Sequence, residues 1–149
     1  MTNHNLLKEK IKQNEGYRNV AYLDGLGFLT IGYGHLIKND EKHLMSKKLK
    51  KKDLINIFNF DFNKALKQYD KHYGKYKFPK VIKECIIEMI FQLGIRRQKK
   101  FKKMNNYLKN NQIFMACLEM KSSLWYIQTP KRVDGMIEVL IKYNYEKKN

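Results

Sequence analysis

A chain of 149 residues, 43% of them hydrophobic, is sized for one domain, two-lobed at most, with a real core. Thirty-one basic residues against 14 acidic ones give a formal net charge of +17, so the partners to expect are anionic: nucleic acid, an anionic membrane or an acidic cell wall. Two cysteines exclude a disulfide scaffold; Cys85 and Cys117 each fall in an apolar helical pattern and are read as buried free thiols.

In chain order, the N-terminal MTNHNLLKEKIKQ has no long apolar run and reads as neither signal peptide nor membrane anchor. Leu7, Ile11 and Glu15 are spaced by four and form the inner stripe of a first helix, which Gly16 ends. Residues 18–37 read as strands, with Val20, Tyr22, Phe28, Leu29, Ile31 and Tyr33 as β-formers and DGLG as a turn. A long amphipathic helix follows over about 51–73, with the stripe Leu54, Phe58, Asp61 or Phe62, Ala65 or Leu66, and Tyr69. Gly74 to Pro79 breaks it. The segment KVIKECIIEMIFQL over 80–93 is apolar nearly all round and reads as the central buried helix. Further helices are expected at roughly 96–109, 111–123 and 130–144. The lysine runs SKKLKKKD and RRQKKFKK read as solvated helix faces or loops, with a specific binding patch as the alternative. No internal repeat is visible.

The fold class is therefore α+β and mostly α. A small N-terminal β-ribbon lobe over about 14–50 is joined by the long helix over about 51–73 to a larger helical lobe over about 80–149. A cleft between the lobes is the expected ligand site.

The chemistry concentrates in NEGYRNVAYLDGLGFLTIGYGH, Asn14 to His35. Glu15 falls at the C-terminal end of a helix, on its inward face. The negative end of the helix dipole and partial burial both favour its protonated form, which is what a general acid requires. Asp24, in a wetter turn, is expected to stay ionised. Two carboxylates in contrasting environments fit glycoside hydrolysis. Along FLTIGYGH, Thr30, Gly32 and Gly34 share a strand face nearly free of side-chain bulk, where Thr30 and Asp24 could hold a water. A plainer reading stands beside this one. Asp before Gly is ordinary turn chemistry, glycines mark bends, and acids near helix ends are common.

The same stretch, written NEG-x-R-x-x-x-Y-x-D-x-x-G-x-x-TIG-x-GH, resembles the signature of the phage-type lysozymes, the endolysin family related to the lysozyme of phage T-four. FNFD at 58–61, MIFQLG at 89–94 and WYIQTPKR at 125–132 resemble further family segments in the same order, so the likeness covers nearly the whole chain as a single lysozyme-like domain, 1–149. The resemblance implies that Glu15 is the catalytic acid, Asp24 the carboxylate that serves the attacking water, and Thr30 the residue that helps place that water. It implies that Gly34, Leu36, Phe91 and Gln92 contact the sugar. Arg132 would pair with the acid, and His35 with Asp61 would make a structural pair between ribbon and long helix. Three departures from the family stand out: a shorter segment between His35 and Asp61, Met104 and Glu119 at what would be the cleft edge, and Gly135 where a second arginine is expected.

The implied activity is a muramidase that cuts the β-1,4 bond between N-acetylmuramic acid and N-acetylglucosamine in peptidoglycan, with inversion. No metal or organic cofactor is expected, because two carboxylates and water suffice. Peptidoglycan is the expected partner of a monomer with no membrane span and no specific nucleic acid. Synthesis in the cytoplasm of a host bacterium and release to the wall, through a holin-type pore, is the expected route. The alternatives are a catalytically inactive lysozyme-fold protein that binds cell walls and, on charge alone, a nucleic-acid-binding protein.

Overall fold

The computed structural model describes residues 4–46 and 48–148, so Lys47 of the first lysine run, and Met1 to Asn3 of the N-terminal segment, lie outside the described residues. The chain forms two compact units, Met1–Lys67 and Gln68–Asn149.

The first unit opens with α1 (Asn5–Glu15), which buries Leu7 and Ile11. Gly16 stops it as expected. At φ 74° it leaves helical space, and its N–H closes the last turn on Lys12 O at 3.0 Å. Then β1 (Arg18–Leu23), β2 (Leu29–Gly32) and β3 (His35–Leu36) form an antiparallel sheet in the order β1-β2-β3. Tyr22 pairs with Thr30 and Leu23 with Leu29, while an irregularity between Arg18 and Tyr22 bends β1. On the other side Ile31 faces His35 and Thr30 faces Leu36.

A 3-10 helix, Asn39–Met45, follows β3; the sequence had indicated no element there. Its Leu44 joins Ile31 and Leu54 in a small core, with Ile37, Leu49 and Ile57 packed around it. Burying side chains of this kind contributes roughly 1.5–3 kcal/mol each, which holds the short sheet on the helix below it. That helix is α2 (Lys51–Tyr73). Leu54, Phe58, Phe62 and Ala65 are its buried stripe in this unit, which settles the choice between positions 61 and 62: Phe62 enters the core and Asp61 stands beside it, half-buried. Tyr33 meets Phe58 edge-on at 5.7 Å, and the Lys12 ammonium lies over both rings.

The second unit begins within α2, with Tyr69 and Tyr73 on its buried face. A 3-10 turn at Gly74–Tyr76 leads to α3 (Lys80–Leu93), which buries Ile82, Ile86, Ile87, Glu88, Met89 and Ile90, as its all-round apolar pattern indicates. The helix expected over 96–109 is two helices, α4 (Ile95–Lys99) and α5 (Lys102–Lys109). The break falls at Phe101, whose backbone leaves helical space while its ring packs edge-on against Trp125 at 5.8 Å. Next come α6 (Ile113–Lys121), a short unexpected α7 (Leu124–Gln128) whose first turn is capped by Ser123, and α8 (Pro130–Lys148), which starts on its proline and runs past the expected end at 144.

A closed polar ring lies inside this unit. The Tyr73 hydroxyl donates to Gln98 Oε1, Gln98 Nε2 donates to Asn105 Oδ1 at 2.9 Å, and Asn105 Nδ2 donates back to Tyr73 at 3.1 Å. All three side chains are buried, so each bond is worth more than at the surface, and together they fix α4 and α5 to the end of α2. Cys117 is a buried thiol, pushed up to about 11 by burial, whereas Cys85 is only partly buried, contrary to expectation. Among the described residues, no helix is long and apolar enough to cross a membrane.

Candidate active site

Glu15 is the last residue of α1, partly buried, and its side chain rests on the turn between β2 and β3. The turn allows this only because Gly34 has no side chain. A Cβ there would collide with Oε2 of Glu15, lie 2.8 Å from Cδ and 3.2 Å from Cβ. Gly34 also sits at φ 79°, a left-handed conformation that L side chains resist. Gly34 was expected to contact sugar; in the structure its first service is to Glu15.

Asp24 closes the β1–β2 turn. Its Oδ1 accepts from Leu26 N at 2.9 Å and Phe28 N at 2.8 Å, while its backbone N–H bonds Phe28 O and its carbonyl accepts from Gly27 N. Half of the carboxylate thus does the turn chemistry that the plainer reading proposed. The other oxygen, Oδ2, accepts no hydrogen bond from the described residues.

Tyr22, the residue before the last of β1, feels the charge of both acids. Its phenol is raised above the usual tyrosine value by burial, then by the Glu15 carboxylate, with the Arg18 guanidinium opposing and Asp24 adding in the same direction. The Arg18 guanidinium lies over the Tyr22 ring, 4.5 Å from its centroid. Sequence reading had Tyr22 as a strand-former and a position of the family signature, with no role of its own. The usable signal was spacing: Tyr22 stands two residues before Asp24, near the end of the strand that leads into its turn.

Thr30 departs from the expected open face. It is only 2% exposed, and its Oγ1 donates to Phe28 O at 3.0 Å. With that proton committed, the hydroxyl offers a third group only its lone pairs. Leu36, across the ladder from Thr30, is 52% exposed.

His35 is buried behind this turn. Nδ1 lies 2.7 Å from Asp61 Oδ2, which is the expected pair. Nε2 lies 3.0 and 3.2 Å from the two oxygens of Glu41, which was not expected. Burial alone would push the imidazole down. The hydrogen bond and charge of Asp61, then those of Glu41, reverse this and raise it above the usual histidine value. Glu41 is held below the usual carboxylate value. Its own burial opposes this, but the Lys38 N–H, donating at 3.0 Å, and His35 outweigh it.

In the second unit, Gln92 is already engaged. Trp125 Nε1 donates to its Oε1 at 2.9 Å, its Nε2 donates to Thr129 Oγ1 at 3.3 Å, and Thr129 donates to Trp125 O. Gln92 keeps one amide proton for a ligand. Phe91 is partly buried beside it. The Nε of Arg132 donates to Glu88 Oε2 at 3.0 Å, with the two side chains 9% and 1% exposed.

A family model described as phage lysozyme matches residues 12–139. The chain belongs to the phage lysozyme family. Among curated proteins it is similar to "Probable T4-type lysozyme 2" of Dictyostelium discoideum, 30% identical over 89% of this chain and 92% of that one. It is also similar to "Probable T4-type lysozyme 1" of the same organism, 29% identical over 90% and 92%.

Within this phage lysozyme family member, the expected cleft-edge role of Met104 is corrected: the side chain is 1% exposed and belongs to the core of the second unit. Glu119 is partly buried, and Gly135 has open space where a side chain would stand. Sequence reasoning missed Tyr22, Glu41 and Glu88. A carboxylate in the middle of the apolar run IIEMI was the available sign for Glu88, since a buried charge needs a partner.

Proposed function

We propose that the protein is a muramidase, hydrolysing the β-1,4 bond between N-acetylmuramic acid and N-acetylglucosamine in peptidoglycan with inversion at the anomeric carbon. The observation that carries this reading is the pair of carboxylates, Glu15 against the bare Gly34 turn and Asp24 with its Oδ2 not spent on its own turn. Family membership supports the same chemistry.

In this reading Glu15 gives its proton to the glycosidic oxygen as the bond to the leaving sugar breaks. A water attacks the anomeric carbon from the opposite face. Its departing proton goes to Asp24 Oδ2, the oxygen not spent on the turn. Thr30 Oγ1, whose own proton is given to Phe28 O, can only accept. The water would therefore donate one hydrogen to Thr30 and one to Asp24, leaving a lone pair for the sugar. Phe91, Gln92 and Leu36 are the proposed sugar contacts, and Arg132 a support for the acid.

The test has two parts. Glu15→Gln should cut wall clearing by roughly 10²–10⁴-fold in a protein that still folds, since glutamine has no acidic proton to give. NMR of the first-formed product should show the α-anomer. A β-anomer would mean retention and would make Asp24 a nucleophile, with the two carboxyl groups required to sit about 5–5.5 Å apart.

A further inference from the structure

The second lysine run, RRQKKFKK, is folded into a surface. The polar ring described above turns Gln98 and Asn105 inward, and Phe101 packs on Trp125. With those three side chains inside, Arg96, Arg97, Lys99, Lys100, Lys102 and Lys103 all face solvent. Among the described residues none of the six pairs with a carboxylate, and only Arg97 makes a side-chain hydrogen bond, at 3.4 Å to Gln128 Oε1. The charge is felt next door. His72, on the last turn of α2, is held below the usual histidine value by partial burial, then by Lys99 and Lys71.

We propose that α4 and the first turn of α5 form a docking surface for a phosphodiester polymer of the bacterial wall, of the poly(glycerol phosphate) kind. The choice of a wall polymer rests on the muramidase reading; the binding itself does not need catalysis. Six cations with no ion-pair partner among the described residues, on helices fixed from beneath, suit a partner with a charge on every repeat. Two other polyanionic partners fit less well. Binding of single-stranded nucleic acid draws on aromatic rings open to stacking bases, and the one ring within the run, Phe101, is spent on Trp125. Seating on a lipid surface needs apolar side chains that enter the acyl boundary, and neither α4 nor α5 exposes a large hydrophobic residue; the exposed Leu124 and Ile127 belong to the neighbouring α7.

The experiment uses soluble poly(glycerol phosphate), which has no glycosidic backbone to cut, so a failure of the muramidase reading leaves the binding result intact. The patch variant carries Arg96→Gln, Lys99→Gln, Lys100→Gln and Lys103→Gln. A control variant of equal charge carries Lys48→Gln, Lys52→Gln, Lys64→Gln and Lys147→Gln, all at exposed positions. The patch variant should bind roughly tenfold more weakly at low salt, from a few tenths of a log unit per exposed contact, and the difference should shrink as salt rises. The control should stay close to the parent. Clearing of walls stripped of their phosphate polymer by hydrofluoric acid should be the same in parent and patch variant. Equal losses in the two variants would overturn the proposal in favour of diffuse charge. A duplex DNA that binds more tightly than the polymer at equal phosphate, and loses that binding in the patch variant, would overturn it in favour of a nucleic-acid surface.

Discussion

Nε2 of His35 lies 3.0 Å from Oε1 of Glu41. With Asp61 on Nδ1, both ring nitrogens face carboxylates, so only the doubly protonated imidazolium satisfies both at once. One side chain thus fastens β3 to α2 and to the 3-10 helix, directly after Gly34.

Glu41→Gln should therefore destabilise the protein by roughly 1–2 kcal/mol, a little below the usual value of a charge-assisted bond because Glu41 is 26% exposed. The pH dependence follows from the two directions. His35 is raised in the fold, so its contribution is full below its ordinary 6.5 and is lost as pH rises through the folded value. Glu41 is lowered, so its contribution is full above its ordinary 4.5 and is lost as pH falls through the folded value. Urea unfolding should show the largest difference between parent and variant between pH 4.5 and 6.5. A difference that grows toward pH 9 would contradict the pairing.

Asp61→Asn removes the shorter of the two bonds, at 2.7 Å, from a histidine that is 8% exposed. The loss should be roughly 2–3 kcal/mol, below the 3–5 of a fully buried pair because Asp61 itself is 24% exposed. Thermal unfolding at pH 6 is the measurement. An unchanged melting temperature would count against any role for the pair in holding sheet to helix.

Gly34→Ala places a methyl group against the Glu15 carboxyl and forces an L residue to φ 79°. The backbone strain should cost about 1–2 kcal/mol, and the displaced acid should lower kcat about tenfold or more. Gly25→Ala is the matched control, since Gly25 has no positive φ and nothing within 4 Å of the added carbon. Wall-clearing rates of the two variants at equal folded concentration distinguish a local collision from a general dislike of alanine in the ribbon.

Glu88→Gln strips the charge that Arg132 Nε meets at 3.0 Å in a nearly inaccessible place. Removing one partner of such a pair costs about 3–5 kcal/mol, whereas replacing both by apolar residues is often close to neutral. The double variant Glu88→Leu with Arg132→Met should accordingly be more stable than Glu88→Gln alone. If denaturation finds it less stable, the pair is net stabilising and the desolvation argument fails.

Local spacing carried much of the first unit. The four-residue stripe ending at Glu15, the stop at Gly16 and the strand run to His35 depend on near neighbours, and they are legible for that reason. Thr30 was misread because period-2 alternation says which side chains share a face and nothing of what covers that face, or which carbonyl a hydroxyl will choose. Glu41 lay hidden because the 3-10 helix carrying it has no apolar periodicity to announce it. The single helix expected over 96–109 failed at Phe101, where a tertiary contact with Trp125 overrode local helical preference.

Trp125 is the one tryptophan in the chain, 1% exposed, with its indole N–H given to Gln92. The molecule therefore has an optical reporter at a single known address. Its emission should be that of an indole shielded from water, and it should shift when a sugar draws on the remaining amide proton of Gln92 or when Gln92 is replaced by leucine. Ligand titrations can thus be followed by light, with no label attached and with ten tyrosines as the only competing background.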